Sequence, residues 1–404
     1  MRVTDVKQSP RIRVFGRHGS SVVVAVGLAH LLNDTYASFL SPLLPRLMQD
    51  LGFPIAIAAS LAMTFSFASS ILQPAVGYLA DRYDRRIFVV AGPLISGVFL
   101  SLIGLAPSVE MLALVLLLGG IGSATFHPPG AAMAARSGEG SGSGLRMSVF
   151  FFGGMTGFAI GPLLIVGLVS IVGLRGMWIA MIPAIVVSGV LLRVLPADRP
   201  HPSAPPPPSP MSVLSSLVGP LGVIFFISAL GAFVQRVFLT LSPIIVFQAG
   251  RSEVMGAVTL SVYLAAQAGG TLSGGMLTDR MDRSRLLAYL TAFAVPTHVL
   301  ALSLPSGSFL ALVFTACAGF LNMALIPPIV VMAQEMVPES TSISSGIVMG
   351  LAWATGSLGV LATGFLADSI GARSAALISI PVLFVGTALA FHPALRCYRR
   401  PSQS

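Results

Sequence analysis

The sequence predicts an all-α integral membrane protein whose twelve transmembrane helices form two pseudo-symmetric halves of six helices each. Of the 404 residues, 55% are hydrophobic and only 9% are charged, whereas a soluble domain carries about 25% charged residues. The apolar residues come in runs of about 20, the length that crosses about 30 Å of hydrocarbon. An internal repeat divides these runs into the two halves.

The apolar runs are bounded by turn residues or charges, which mark the loops between helices. We predict helices at 21–45, 55–79, 87–106, 109–134, 146–171, 175–195, 214–247, 254–277, 286–304, 308–335, 342–366 and 374–394. The predicted domains are a basic cytoplasmic N-terminus (1–20), an N-terminal half (21–195), a proline-rich cytoplasmic linker (196–213), a C-terminal half (214–394) and a cytoplasmic tail (395–404). No small-residue cleavage pattern follows the first apolar run, so we expect it to remain as helix 1.

The distribution of basic residues predicts the orientation of the helices. With the N-terminus in the cytoplasm, inner segments hold 18 of the 23 Lys and Arg residues. The outer loops then hold only Arg46, Arg175, Arg251 and Arg373, and Arg236 falls within helix 7. This asymmetry follows the positive-inside rule and predicts that both termini are cytoplasmic, in a bacterial-type inner (plasma) membrane. The net charge of +9 is then a basic surface beside anionic lipid, and we expect no nucleic-acid partner.

The repeat relates corresponding helices and loops of the two halves. "SPLLP" at 41–45 matches "SPIIV" at 242–246, and "HPPGAAMAAR" at 127–136 matches "IPPIVVMAQE" at 326–335. The loop "GYLADRYDRR" at 77–86 matches "GMLTDRMDRS" at 275–284. Chance similarity of apolar segments does not explain a polar loop in register. Parallel repeats of six helices are a known transporter design, with the substrate site between the halves.

The motifs of several other protein classes are missing from the sequence. It has no phosphate-binding loop of the Gly-x-x-x-x-Gly-Lys-[Ser/Thr] kind, so we expect no direct use of ATP. No paired carboxylates, Ser/His/Asp set or metal-ligand spacing indicates catalysis, and we expect neither an enzyme, a cofactor nor a bound metal. The two cysteines, Cys317 and Cys397, lie in an apolar run and a basic tail, so a disulfide is not expected. We expect a functional monomer whose partners are lipid, protons and a small-molecule substrate.

Few ionisable residues lie deep in the predicted helices, and Asp34 is the clearest. It lies about 12 residues into helix 1, hence about 18 Å from its cytoplasmic end and near the middle of the bilayer. A carboxylate there must be paired, solvated or protonated. Burial favours the protonated form, so Asp34 is a candidate for proton coupling. A structural ion pair or an interfacial position is the alternative. His30 lies one turn earlier on the same face and either shares a proton with Asp34 or only packs.

Arg236, at the corresponding depth of helix 7, either attracts an anionic substrate or has a structural role, because guanidinium matches carboxylate and phosphonate geometry. His127 opens a His-Pro-Pro sequence that predicts a break in helix 4 near the cavity. The remaining candidates for the cavity are polar or aromatic residues within helices: Asn33, Tyr36, Gln73, Gln267 and Asn322. Each of these could instead cross-link or pack helices.

The loop from Gly77 to Arg86 resembles the signature between helices 2 and 3 of the major facilitator superfamily. "AHLLNDTYASFLSPLLP" in helix 1 and "ATFHPPG" in helix 4 are similar to the fosmidomycin-resistance branch of drug exporters. The glycines and proline of helix 5 resemble the motif of drug/proton antiporters: Gly153, Gly157, Gly161 and Pro162. The same glycines could serve only for close helix packing.

The resemblance implies a central cavity bordered by helices 1 and 7, where Asp34 and Arg236 could interact in at least one state. It also implies that the loop clusters latch the cytoplasmic side when the cavity opens outward, with Glu335 as a rim partner. The residues of this predicted gate are Gly77, Asp81, Arg82, Arg85, Arg86, Gly275, Asp279, Arg280 and Glu335. Without the resemblance, the arginines alone would be ordinary positive-inside anchors.

Together, these patterns predict a proton-coupled secondary transporter that exports a drug-like or small organic compound by alternating access. Anionic compounds are among the candidate substrates. Proton-coupled uptake of an organic anion or metabolite is the alternative. A non-transporting membrane sensor or membrane enzyme is the third reading.

Overall fold

A computed structural model describes residues 17–80, 82–136, 143–198, 217–337 and 341–398. Asp81 of the predicted gate lies outside the described residues, as do most of the predicted N-terminus and linker and the last residues of the tail. The described chain is built from helices, and every long helix corresponds to one of the predicted apolar runs.

The first half contains six long helical segments, α1 to α6. They are α1 (Arg17–Ala37 continued by Leu40–Leu51), α2 (Ile55–Ile71 continued by Gln73–Ala80), α3 (Arg85–Ser101), α4 (Val109–Arg136), α5 (143–172) and α6 (174–194). The helices α5 and α6 are divided at Gly173, whose φ of 75° interrupts the helical backbone. Only glycine adopts this left-handed region without strain.

The second half repeats the pattern with α7 to α12. They are α7 (Pro220–Gln248), α8 (Glu253–Thr278), α9 (Arg283–Ser303), α10 (Phe309–Ala324 continued by Ile326–Met336), α11 (Thr341–Gly346, Ile347–Leu351 and Ala352–Ile370) and α12 (Ala372–Ser379 continued through Ile380–Val382 to Leu383–Ala390). A short 3-10 helix, Pro393–Tyr398, follows. The segment Ile347–Leu351 of α11 is a turn of π-helix.

The number of transmembrane helices agrees with the prediction. Ten helical stretches among the described residues are long and apolar enough to cross a membrane. One of them, Arg146–Val194, has 49 residues and contains most of α5 and all of α6. The 26-residue helix α8 is long enough as well. The predicted arrangement of twelve helices in two halves is therefore confirmed.

Two details of the helices differ from the prediction. Helix α1 continues beyond residue 45 to Leu51, after an interruption at Ser38, because Pro45 is accommodated inside the second piece. The predicted break at the His-Pro-Pro sequence of α4 is not present: the helix runs through Pro128 and Pro129. The break occurs instead in the repeat-related helix α10, at Leu325.

The helices of each half pack closely through small residues. Helix α1 lies along α5, α3 along α4, and α8 along α10. At Gly153 and Gly157 of α5, a Cβ atom would collide with the backbone of α1 at Gly27 and Leu31. Helices in lipid associate by such close backbone approach, since burial of apolar surface from water gives no driving force there.

The two ends of the bundle differ in how the halves meet. We call one the Gly52 end, which carries the turns at Gly52, Gly173, Gly250, Gly307 and Gly371. The opposite end, which carries the loop at Tyr83, is the Tyr83 end.

The two halves join along the α2–α11 and α5–α8 contacts. Among the described residues, the polar contacts between the halves lie at the Gly52 end. At the Tyr83 end, α2 has exposed side chains at Pro74, Ala75, Tyr78 and Leu79. The halves are thus closed together at the Gly52 end.

Candidate functional site

Asp34 lies at the centre of a group of three titratable side chains inside the first half. Its Oδ2 is 3.1 Å from Nε2 of His30, and its Oδ1 is 3.2 Å from Nε2 of His127. His30 is four residues earlier on α1, whereas His127 comes from α4. Asp34 and His30 are buried, with side-chain exposures of 3% and 6%, but 26% of the His127 side chain is exposed. His127 is therefore the most accessible member of the group.

The hydrogen-bond partners of the two imidazoles indicate where their protons are. Nδ1 of His30 is 2.8 Å from the carbonyl of Phe150, and Nδ1 of His127 is 2.8 Å from the carbonyl of Ser123. A carbonyl oxygen only accepts hydrogen bonds, so each Nδ1 carries a hydrogen. In a neutral ring, each Nε2 would then present a lone pair to the Asp34 carboxylate.

Each of the two contacts with Asp34 therefore needs a proton, either on an imidazolium or on the carboxyl group. The group has two such contacts and can hold up to two exchangeable protons. We call His30, Asp34 and His127 the proton cluster. One ring nitrogen of each histidine and one carboxylate oxygen lie within 4.8 Å of one another, which is close enough for a single metal ion to bind all three.

Aromatic rings and a glycine fix the position of the proton cluster. The ring of His30 lies 4.1 Å from that of Phe150 and 5.4 Å from that of Phe126, measured between centroids. Gly154 of α5 faces both His30 and Asp34, and a Cβ atom there would lie 2.8 Å from Asp34 Oδ2. Asn33 donates from Nδ2 to Asp34 Oδ1 at 3.0 Å. The carboxylate thus has partners on α1 and α4 and no free space toward α5.

A cavity lies between the halves, next to the proton cluster. Its lining comes from α1, α2, α5, α7 and α8 and includes one cation and several hydroxyls: Ser38, Ser41, Ser66, Thr240 and Arg236. Phe65, Phe158 and Pro162 add apolar surface. Ser38 is four residues after Asp34, which is about 6 Å along the helix axis. The cavity and the proton cluster therefore share one face of α1.

Arg236 projects from α7 into this cavity. Its guanidinium lies 5.8 Å from the ring centroid of Trp353 on α11, within the range of a cation–π contact. Its Nε has no hydrogen-bond partner. No carboxylate of the described residues lies within 4.0 Å of it. A partly buried guanidinium without a counter-ion among the described residues favours an anionic ligand.

The predicted contact between Asp34 and Arg236 is not formed in this structure. Both oxygens of Asp34 face imidazoles of its own half. The contact stays a prediction for another state of the transport cycle.

Gln73 and Asn322, two of the other predicted cavity residues, donate hydrogen bonds to backbone carbonyls. Gln73 Nε2 donates to the carbonyl of Ser69 on its own helix at 2.9 Å. Asn322 Nδ2 donates to the carbonyl of Gly231 at 3.0 Å and so joins α10 to α7. Gln267 is buried, and its Nε2 has no partner.

Tyr36, also predicted to border the cavity, is buried within the first half. Its hydroxyl donates to the carbonyl of Ala180 at 2.5 Å and so joins α1 to α6. Its ring packs edge-on against Phe39. In this state Tyr36 holds helices together and does not line the cavity.

The helix-5 motif is a packing surface for α1. Gly153, Gly157 and Gly161 each face α1 so closely that a Cβ atom would collide with it. Pro162 lines the central cavity. The motif thus brings α1, with the proton cluster, against the cavity wall.

In this state, the predicted gate residues form ion pairs within each half, and the latch expected when the cavity opens outward stays a prediction. Arg85 is buried and pairs with Asp198, at 3.4 Å between Nη1 and Oδ1. Its repeat counterpart Arg283 pairs with Glu335 of its own half. Glu335 is therefore not a partner of the first loop in this state, because Arg283 of the neighbouring helix reaches it first.

The remaining gate residues lie at the surface of the Tyr83 end or pack there. Arg82 is exposed and lies 4.2 Å from the ring centroid of Tyr78. Arg86 is partly buried, and Asp279 and Arg280 are exposed. Gly77 and Gly275 lie against Pro128 and Pro327, in corresponding places of the two halves. This agreement between the halves extends the sequence repeat to side-chain packing.

Sequence reasoning missed several residues of these contacts. Asp198 lies in the predicted linker, where composition indicated only a spacer. Arg283 is part of the repeated loop, so alignment with Arg85 would have found it. Ser123 and Phe150 contribute backbone carbonyls, which no side-chain pattern reveals.

Comparisons with known proteins agree with this architecture. The model of the Major Facilitator Superfamily matches residues 26–346. The fosmidomycin resistance protein of Escherichia coli K12 is 28% identical over 365 residues, covering 87% of each chain. The uncharacterized transporter YfnC of Bacillus subtilis 168 is 28% identical over 389 residues, covering 92% of each chain.

Solved structures have the same fold. An inward-facing, unoccupied bacterial homolog of the human lysosomal transporter Spinster superimposes with a TM-score of 0.79 at 17% identity, over 96% of this chain and 99% of the other. The nucleoside transporter NupG superimposes with a TM-score of 0.73 at 14% identity, over 92% and 100%. With its twelve helices in two halves and the family match over most of its length, the chain is a multi-pass membrane transporter and not an enzyme, and it belongs to the major facilitator superfamily.

Proposed function

We propose that this protein is a proton-coupled exporter of a small organic compound that carries an anionic group. The observation that carries the proposal is the Asp34 carboxylate held between His30 and His127, because neither contact is satisfied without a proton. Such a group can take up and release protons as the halves move. Its position beside the central cavity supports coupling of these protons to the substrate.

Arg236 supports an anionic substrate. It is the cation of the cavity lining, and no carboxylate among the described residues neutralises it. Hydroxyls of Ser38, Ser66 and Thr240 offer further hydrogen bonds around it. A carboxylate or similar group could accept two parallel hydrogen bonds from the guanidinium.

Export is supported by the relatives. A fosmidomycin resistance protein matches most of the chain, and multidrug resistance proteins named MdtG match about a third of it at 30–33% identity. Resistance proteins that are transporters act by removing the compound. We extend this direction to the present chain as part of the proposal.

The basic residues of the sequence support an orientation with the Tyr83 end in the cytoplasm of an inner membrane. Arg82, Arg85 and Arg86, together with Arg280, Arg283 and Arg285, lie at that end. The structure, closed at the Gly52 end, then corresponds to the state that loads cytoplasmic substrate. Such a state is the one an exporter needs for binding its cargo.

Uptake of an organic anion is the second candidate, and one observation favours it. Among the described residues, the cavity and the adjacent proton cluster contain three basic side chains, His30, His127 and Arg236, and one carboxylate, Asp34. Protonation makes this region more positive, so a proton and an anion would bind together, as in symport. The direction of transport must therefore be measured.

The experiment expresses the protein in a host that lacks its own drug pumps and challenges it with a panel of anionic, neutral and cationic antimicrobial compounds. We expect protection against anionic compounds, which disappears when the proton gradient is dissipated and in the variant Asp34→Asn. Asp50→Asn, an exposed acid at the Gly52 end, is the matched control and should protect like the wild type. Increased sensitivity to anionic compounds would show uptake, and protection that survives dissipation would exclude proton coupling.

A further inference from the structure

Asp368 connects the two halves at the Gly52 end. It lies near the end of α11, and its carboxylate accepts two backbone hydrogen bonds from the beginning of α2. The distances are 2.8 Å from the N–H of Ile55 to Oδ1 and 3.0 Å from the N–H of Ala56 to Oδ2. These residues are more than 310 positions apart in the chain and belong to different halves.

The start of α2 needs such a partner. The first N–H groups of a helix have no acceptor within the helix and carry a partial positive charge. The residue before α2 is Pro54, whose side chain makes no capping hydrogen bond. Asp368 therefore provides from the other half the cap that α2 does not have in its own sequence.

The apolar surface below Asp368 requires close approach of the same two helices. Gly364 lies one turn before Asp368 on α11 and faces α2. A Cβ atom at Gly364 would lie 3.0 Å from the Cα of Ala56 and would also collide with Ala59. The two hydrogen bonds and the glycine contact can form only while the Gly52 end is closed.

Among the residues that the structure describes, one other polar contact crosses the halves at this end, and it is weaker. Arg46 of α1 lies 3.8 Å from Glu253 in the first turn of α8, and both side chains are partly exposed. Exposed pairs of this kind contribute little to stability. Asp368 is itself exposed, so the difference lies in its two short hydrogen bonds to backbone N–H groups, compared with one ion pair at 3.8 Å. At the Tyr83 end, by contrast, the ion pairs Arg85–Asp198 and Arg283–Glu335 lie within single halves.

We propose that Asp368 is a latch that stabilises the state closed at the Gly52 end, and that its two hydrogen bonds break each time this end opens. The proposal concerns the balance between states and does not depend on which ion or substrate is carried. Helices α2 and α11 run antiparallel, so a carboxylate at the end of one lies beside the start of the other. Asp368 thereby sets the population of the two states, a role that no sequence motif indicated.

The test measures distances across the Gly52 end by double electron–electron resonance. Cys317 and Cys397 are first replaced by Ser, and spin labels are attached to cysteines at Met111 and Phe309, which are exposed positions on different halves. We expect Asp368→Asn to increase the ratio of the long to the short distance by about two- to fivefold, as for loss of an anion from a helix N-terminus. Ser369→Ala, next to it and exposed, should leave the ratio unchanged.

A second variant separates a latch from a residue that only stabilises α2. Pro54→Asp supplies a cap from the same half, which would restore the stability of α2 in the double variant Pro54→Asp/Asp368→Asn. We expect the double variant to fold like the wild type but to keep the increased long distance. A return to the wild-type distance ratio, or no change in Asp368→Asn itself, would overturn the proposal. Should Asp368→Asn alone fail to fold, the distances of the double variant decide the question.

Discussion

At the scale of single residues, the proposed coupling depends on how the proton cluster exchanges protons. His127 is the partly exposed member, whereas Asp34 and His30 are buried. In the described part of the protein, the titratable side chains that face His127 are Asp34, at 3.2 Å, and His30, whose ring centroid is 5.1 Å away. We therefore expect a proton that enters from the cavity to reach His127 first.

Replacing His127 with Asn should change the pH dependence of transport. The variant loses one proton contact of Asp34, and a hydrogen bond to a charged group contributes about 1.5–3 kcal/mol, or about ten- to hundredfold in proton affinity. We expect the transport rate to vary less steeply between about pH 5 and pH 8, where histidine titrates. Transport into vesicles at a series of pH values would measure this, and a profile identical to the wild type would contradict the role of His127.

Arg236 should determine the preference for anionic compounds. In Arg236→Gln we expect the dissociation constant of a carboxylate substrate to rise by about ten- to hundredfold, because the charge-assisted hydrogen bonds are lost. Arg236→Lys keeps the charge but not the paired geometry and should be intermediate. Calorimetric titration in detergent would measure both, with the methyl ester of the same compound as a control. An equal loss for acid and ester would show that Arg236 only maintains the cavity.

The sequence predicted part of this arrangement. His30 and Asp34 lie four residues apart, so helical periodicity placed them on one face. The contribution of His127 to the same cluster depends on how α4 packs against α1, which no local pattern specifies. Helix packing also decides whether Asp34 and Arg236 are in contact, so their similar depths in the membrane could not predict it.

At the scale of the helices, close packing of α1 on α5 holds the proton cluster in place. Gly157 faces the carbonyl of Leu31, and Gly167, further along α5, has no atom within 4 Å of a built Cβ. We expect Gly157→Ala to lower stability by about 1–3 kcal/mol, as for overpacking in a protein interior. Thermal unfolding in detergent would measure this, with Gly167→Ala as the control. Equal melting temperatures for the two variants would contradict the packing role.

The helices themselves were predictable because run length and breaker residues depend on the membrane and not on partners. The ends of the helices and the interruptions within them were harder to predict. The breaker residues did not predict the interruption of α1 at Ser38 or the continuous course of α4 through Pro128 and Pro129. In α4, His127 donates its Nδ1 hydrogen to the carbonyl of Ser123 within the same stretch of helix.

At the scale of the whole molecule, two similar halves enclose the cavity, and the repeat predicted this division. The sequence did not predict which end is closed, because that depends on contacts between the halves. Ile55 and Asp368, which make such a contact, have no counterpart in the repeated motifs. The ion pairs at the Tyr83 end, Arg85–Asp198 and Arg283–Glu335, likewise lie within single halves.

The central claim is that Asp34 couples proton movement to substrate movement. The direct measurement uses proteoliposomes with a pH-sensitive dye inside, to which an anionic substrate is added. For the wild type and for Asp50→Asn we expect a substrate-dependent change of internal pH. For Asp34→Asn, purified as a monodisperse and correctly folded protein, we expect substrate binding without a pH change. A wild-type pH change in Asp34→Asn would contradict the account.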